Sequence, residues 1–194
     1  LREDRHGASR PHLGRITARR RLHILLRSAR RIRGLSATTS TNLVARDILL
    51  VDDSPTDVMI AKEALSMSEL AAPIHVVTDG DEALEFLYRR GKYRDAPRPA
   101  LILLDLNLPR LSGHEVLTTI KTDDRLKSIP VIVLTTSRAP NDVIKSYQAH
   151  ANCYITKPVD FDQLARVILS TQLYWLQSAT LPDAFEMENR DEQA

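Results

Sequence analysis

Three carboxylates, a hydroxyl and an ammonium carry the chemistry open to this sequence. Asp52 and Asp53 follow the apolar run "DILLV" (47–51), and Asp105 follows "ALILL" (100–104). Thr135 and Thr136 close "PVIVLTT", and Lys157 comes directly after "CYIT" (153–156). Grouped carboxylates raise one another's proton affinity unless a cation neutralises them. Hard oxygen ligands on strand-end loops, with room for water and no histidine or cysteine cluster beside them, suit Mg²⁺ better than zinc. A divalent cation flanked by an ammonium and a hydroxyl donor suits phosphate chemistry. Taken singly, each residue has an ordinary use: an aspartate caps a helix or fills a turn, a threonine ends a strand, a lysine sits in water. The reading therefore depends on whether the chain brings them together.

From Asp47 onward, strand and helix signals alternate with short connections. Buried strands are predicted at 47–51, 74–78, 100–104, 130–135 and 153–156, because each is a short run of branched apolar residues. Apolar residues at helical spacing predict helices at 57–67, 81–91 (stopping at Gly91), 112–122 and near 141–151. A last helix is predicted from near Asp160 to about Leu176, with Phe161, Leu164, Ile168 and Trp175 on one face. Five such units imply an α/β fold, a doubly wound five-stranded parallel sheet with helices on both faces. Ligands bind such sheets outside the carboxyl ends of the strands, where strand order reverses. In the flavodoxin-like order 2-1-3-4-5 that point lies between strands one and three, which here end in Asp52–Asp53 and Asp105.

The stretches "LLVDDSPTD", "LILLDLNLPRLSGHEVL", "IPVIVLTTS" and "CYITKPVDFDQL" resemble, in order and spacing, the receiver domain of two-component response regulators. The resemblance covers residues 46–177. The detail of "HVVTDGDEALEFLYRRGKYRDAPRPALILLDLNLP", "SYQAHANCYITKPVDF" and "LYWL" is similar to single-domain regulators paired with bacterial and cyanobacterial phytochrome histidine kinases.

This resemblance implies a receiver fold in which Asp105 accepts a phosphoryl group from a phosphohistidine on a sensor histidine kinase. It implies that Asp53 binds Mg²⁺ directly and Asp52 largely through water, with Asp105 and the backbone carbonyl of Asn107 completing the protein ligands. Lys157 and Thr135 would contact phosphoryl oxygens, and Tyr154 would move into the space that Thr135 vacates. The Lys157–Pro158 bond is expected to be cis. The implied activity is that of a phosphoacceptor switch with slow self-dephosphorylation, not of an enzyme. Its output would run through protein contact on the face of the fourth helix, fifth strand and last helix, where a homodimer is also expected.

Composition divides the chain into unlike parts. Residues 1–46 hold twelve arginines, no lysine and two acids, a net of +10 in a chain whose total is +2, so the rest carries −8. Residues 1–45 read as a basic leader, disordered or non-native, with Val44 an alternative start. Residues 178–194 read as a short acidic tail too small for a DNA-binding output domain. The 43% hydrophobic fraction is ordinary for a soluble protein, and no apolar run approaches the roughly 18 residues of a membrane span. The single cysteine, Cys153, excludes an internal disulfide, suits a reducing cytoplasm and reads as a packing residue. His114 and His150 have no nucleophile at an interpretable spacing and read as solvated helix positions.

Two other classes compete. A haloacid-dehalogenase-like phosphatase also uses a strand-end aspartate with Mg²⁺, but it wants a second acid two residues on, where this chain has Asn107, and it places the nucleophile on the first strand. A nucleic-acid binder would use the basic arm of residues 1–46.

Overall fold

A computed structural model of the protein describes residues 46–66 and 72–182. Five parallel strands, β1 (Ile48–Val51), β2 (Ile74–Val77), β3 (Leu101–Leu104), β4 (Val131–Thr135) and β5 (Cys153–Thr156), form one sheet in the order β2-β1-β3-β4-β5. The strands pair in phase. Val51 faces both Val77 and Leu104, and Leu104 faces Val133, so the residues that follow β1 and β3 emerge side by side.

Alternation along the strands builds two cores. Leu49, Val51, Ile102, Leu104, Val131 and Val133 point to one face, where α2 (Gly80–Leu87) and α3 (Gly113–Thr122) supply Ala83, Phe86, Val116, Leu117 and Ile120. Ile48, Leu50, Leu101, Leu103, Ile132 and Leu134 point to the other, against Ile60, Ala64, Leu65, Leu164 and Ile168 of α1 (Pro55–Ser66) and α5 (Phe161–Leu173). Each fully buried aliphatic side chain contributes roughly 1.5–3 kcal/mol. β1 and β3 are buried on both faces throughout, which is why they read as unbroken apolar runs.

The remaining helix, α4 (Pro140–Gln148), buries only Ser146 and lies beside the edge strand β5. Pro55 and Pro140 open their helices at the position where a missing N–H costs nothing. Asp79, Ser112 and Asp160 accept backbone N–H groups at the starts of α2, α3 and α5.

Several expectations need correcting. α2 ends at Leu87, not at Gly91: Arg89 takes a left-handed φ of 53°, its N–H donates to Phe86 O, and the Arg90 N–H donates to Glu85 O. That is a Schellman turn with arginine in the place glycine usually takes. His150 fills the same place after α4, with φ 62°, so it is a helix-terminating residue rather than a helical one. Phe161 sits at the first position of α5 and is exposed, while Leu164 and Ile168 are buried as expected. The helix continues past Leu173 as a π-turn, Tyr174–Ser178. Lys157–Pro158 is trans, because no cis peptide occurs among the described residues. A tertiary amide separates the two isomers by only about 0.5–1 kcal/mol, so the dipeptide alone does not select cis. Residue 67, expected in α1, lies outside the described residues, as do 1–45 and 183–194.

Candidate functional site

The backbone ladder extends one residue past β1, β3 and β5 and so fixes the residues that follow. The Asp52 N–H donates to Val77 O (3.1 Å), the Asp105 N–H to Val51 O (2.9 Å) and the Lys157 N–H to Thr135 O (2.7 Å). The apolar strands thus hold three charged side chains rigidly at one rim of the sheet.

Two glycines let the loops close over that rim. A Cβ on Gly113 would lie 2.1 Å from Asp105 O and 2.6 Å from Leu106 Cα, so only glycine permits α3 to begin against the backbone of Asp105. A Cβ on Gly80 would lie 2.3 Å from Leu111 O, which brings the β3–α3 loop down on the start of α2. Arg110, at φ 63°, reinforces this contact through an ion pair with Asp79 and a 3.4 Å approach to Asp81.

At the centre stands Lys157. Its Nζ lies 2.6 Å from Asp105 Oδ2, 2.7 Å from Asp52 Oδ2 and 2.9 Å from Asp57 Oδ2. Asp52, Asp105 and Lys157 are buried, whereas Asp53 is exposed. Burial pushes the Asp52 carboxyl above its ordinary range, although Lys157 and the Ser54 N–H pull against it. Burial alone would lower Lys157, but its hydrogen bonds to Asp105, Asp52 and Asp57 outweigh it and carry the ammonium well above the usual lysine value.

One oxygen each from Asp52, Asp53 and Asp105 lies within 4.8 Å of the others. With Asp57 added, four carboxylates gather at one rim around a single ammonium that contacts three of them, an imbalance that a divalent cation relieves. The donors are all oxygen, and the exposed Asp53 leaves an open side, so the residues fit a hard cation that keeps some of its water.

On the far side of Asp105 lies a hydroxyl network. The Asn107 N–H donates to Asp105 Oδ1 (3.0 Å), and its Nδ2 donates to Thr135 Oγ1 (3.3 Å) and Thr136 Oγ1 (3.2 Å). Thr135 is fully buried, and its Oγ1 also accepts the Ser137 N–H (3.4 Å). Tyr154, half-buried on β5, donates its hydroxyl to Ser137 O (3.0 Å), and burial raises its phenol. Ser137 Oγ in turn donates to Asp142 Oδ2 (2.5 Å) at the start of α4.

The fold therefore brings Asp52, Asp53, Asp105, Thr135 and Lys157 to one rim. Asn107 reaches it through its amide and backbone N–H, and Tyr154 through Ser137. The sequence reading missed three participants: Asp57, Ser137 and Asp142. Asp57 stands in "SPTD" as an ordinary first-turn acid of a helix, Ser137 lies on a loop whose path no periodicity fixes, and Asp142, in the first turn of α4, joins the network only through that loop. His114 is half-buried with Nε2 3.5 Å from Asp142 Oδ1, so it sits between α3 and α4 instead of standing in solvent. Cys153 packs beside the core, and burial raises its thiol, as suits a packing residue. An amide at position 107 and a nucleophile candidate on the third strand both depart from the phosphatase pattern.

Residues 48–169 match the response regulator receiver domain family. The response regulator Rcp1 of Synechocystis sp. is 46% identical over 137 residues, spanning 71% of this chain and 93% of that protein. Among solved structures, the phosphorylated cyanobacterial phytochrome response regulator RcpA is 45% identical with a TM-score of 0.71, covering 72% of this chain and all of that one. The Mn²⁺-bound form of Rcp1 is 45% identical with a TM-score of 0.69, over 71% of this chain and 99% of that one.

Proposed function

This chain belongs to the response regulator receiver domain family, and we propose that it is a phosphoacceptor switch with Asp105 as the acceptor. An Asp105 carboxylate oxygen attacks the phosphorus of a phosphohistidine on a sensor kinase. The P–N bond breaks, its electron pair returns to the imidazole nitrogen, and an acyl phosphate remains on Asp105. When bound, Mg²⁺ held by Asp52, Asp53, Asp105 and the backbone carbonyl of Asn107 supplies the positive charge that offsets the phosphoryl oxygens during transfer. Lys157 then releases Asp105 Oδ2 and pairs with a phosphoryl oxygen as a compact point charge. The observation that carries this reading is the ammonium 2.6 Å from Asp105 Oδ2, buried beside an acidic cluster open on one side.

Switching uses the hydroxyl network. The Thr135 hydroxyl gives up Asn107 and Ser137 to bind the phosphoryl group, and Tyr154 leaves Ser137 O for the space beside it. The β4–α4 connection follows, which changes the face of α4, β5 and α5. Ile144 and Tyr147 stand exposed on α4, and β5 is an edge strand, so this face has apolar surface for a second copy or an output partner. The kinase we assign is of phytochrome type, on the strength of RcpA and the extent of the match to Rcp1. Incubation with Mg²⁺ and acetyl phosphate tests the reading: intact mass rises by one phosphoryl group, chelation of Mg²⁺ prevents it, and Asp105→Asn takes up none. Uptake by Asp105→Asn overturns it.

A further inference from the structure

The two Ser-x-x-acid sequences that open helices in this fold use their acids differently. At α3 the arrangement is a reciprocal capping box: the Glu115 N–H donates to Ser112 Oγ (3.4 Å), and the Ser112 N–H donates back to Glu115 Oε2 (3.0 Å). At α1 only half of it forms. The Asp57 N–H donates to Ser54 Oγ (3.3 Å), but the Ser54 N–H is taken by Asp52 Oδ1 (3.0 Å). Asp57 is thereby excused from capping, and its carboxylate reaches across to Lys157 Nζ at 2.9 Å.

This diversion matters because the other partners of Lys157 have competing duties. Under the function proposed above, on which this inference rests, Asp105 becomes phosphorylated and Asp52 turns to the cation. Both then loosen their hold on the ammonium at the moment it must meet a phosphoryl oxygen. Asp57 has no such duty: it lies outside the group of carboxylates close enough to share a metal, and it is anchored to a helix. We infer that Asp57 is a positioning residue for phosphoryl transfer, the fixed counter-charge that keeps Lys157 aimed at the acceptor while Asp52 and Asp105 change partners.

The test uses the full chain with four proteins: wild type, Asp57→Ala, Asp57→Asn and Asp105→Asn. Mg²⁺ affinity is read by calorimetry with the metal alone, and phosphorylation is followed by intact mass over a range of acetyl phosphate concentrations at saturating Mg²⁺. In Asp57→Ala the maximal rate falls on the order of tenfold, the scale of one charge-assisted hydrogen bond. The half-saturating donor concentration does not rise, and Mg²⁺ affinity stays within twofold. Asp57→Asn, which keeps an acceptor oxygen and the helix start, recovers part of the rate and serves alone if the alanine variant does not fold. Rates within twofold of wild type overturn the inference, as does a loss explained by weaker Mg²⁺ binding. Failure of the wild type to take up phosphate, or uptake by Asp105→Asn, instead overturns the underlying function.

Discussion

Lys157 Nζ, carried at the end of the edge strand β5, lies 2.7 Å from Asp52 Oδ2 at the end of β1, so one ammonium spans the rim of the sheet past β4 and β3. The bond spans 105 residues and both of its ends are buried. It neutralises carboxylates that the metal would otherwise have to neutralise.

Removing that ammonium strands Asp52 and Asp105 without a counter-charge. Breaking a buried pair from one side costs about 3–5 kcal/mol. Lys157→Ala is therefore expected to lose stability of that order in metal-free buffer at neutral pH. Mg²⁺, or acidification that protonates the carboxylates, should restore much of it. Urea unfolding at pH 7 and pH 5, with and without Mg²⁺, reads the effect, and an equal loss under all four conditions would contradict it.

Acid stability should carry the signature of Glu82. Lys92 (2.5 Å), then Tyr93 (2.6 Å) and the Thr78 N–H (3.0 Å), bind its carboxylate and hold it down at about 2, against an ordinary 4.5. A carboxyl lowered by folding stabilises fully above its ordinary value, and that stabilisation is lost as pH falls through the folded one. The stability gap between wild type and Glu82→Gln is expected to be constant above pH 4.5 and to close between 4.5 and 2. A gap that widened on acidification would have the wrong sign.

Gly113 is expected to tolerate no side chain. A Cβ there meets Asp105 O and Leu106 Cα, both backbone, so neither can swing aside. Gly113→Ala should cost about 1–3 kcal/mol or more by overpacking, and it should weaken Mg²⁺ binding because the displaced backbone carries Asp105. Thermal unfolding together with calorimetric titration of Mg²⁺ checks both. A stable variant with normal metal affinity would show that the loop has more room than this geometry gives it.

How much of this was legible from sequence follows from where the information resides. β1 and β3 announce themselves because burial on both faces demands continuous apolar runs, and the carboxylates at their ends need only a known strand order to be brought together. The α2 terminus was misplaced because Arg89 adopts the backbone conformation that Gly91 advertises, and His150 hides the end of α4 in the same way. Asp57 was illegible for a subtler reason: a first-turn acid reads as a cap, and only the competing bond from Ser54 to Asp52 shows that this one is free to reach Lys157. The roles of Ser137 and Asp142 depend on the course of one loop, which side-chain pattern does not encode.

The acid fixed at the end of β3 is the group proposed to carry the phosphoryl group. Borohydride reduction of the protein after reaction with acetyl phosphate and Mg²⁺ converts an aspartyl phosphate to homoserine, which peptide mass spectrometry locates. Homoserine is expected at position 105 alone, at a yield matching the phosphoryl content of the intact protein. Homoserine at position 52, 53 or 57 instead, or phosphate recovered on any other side chain, would contradict it.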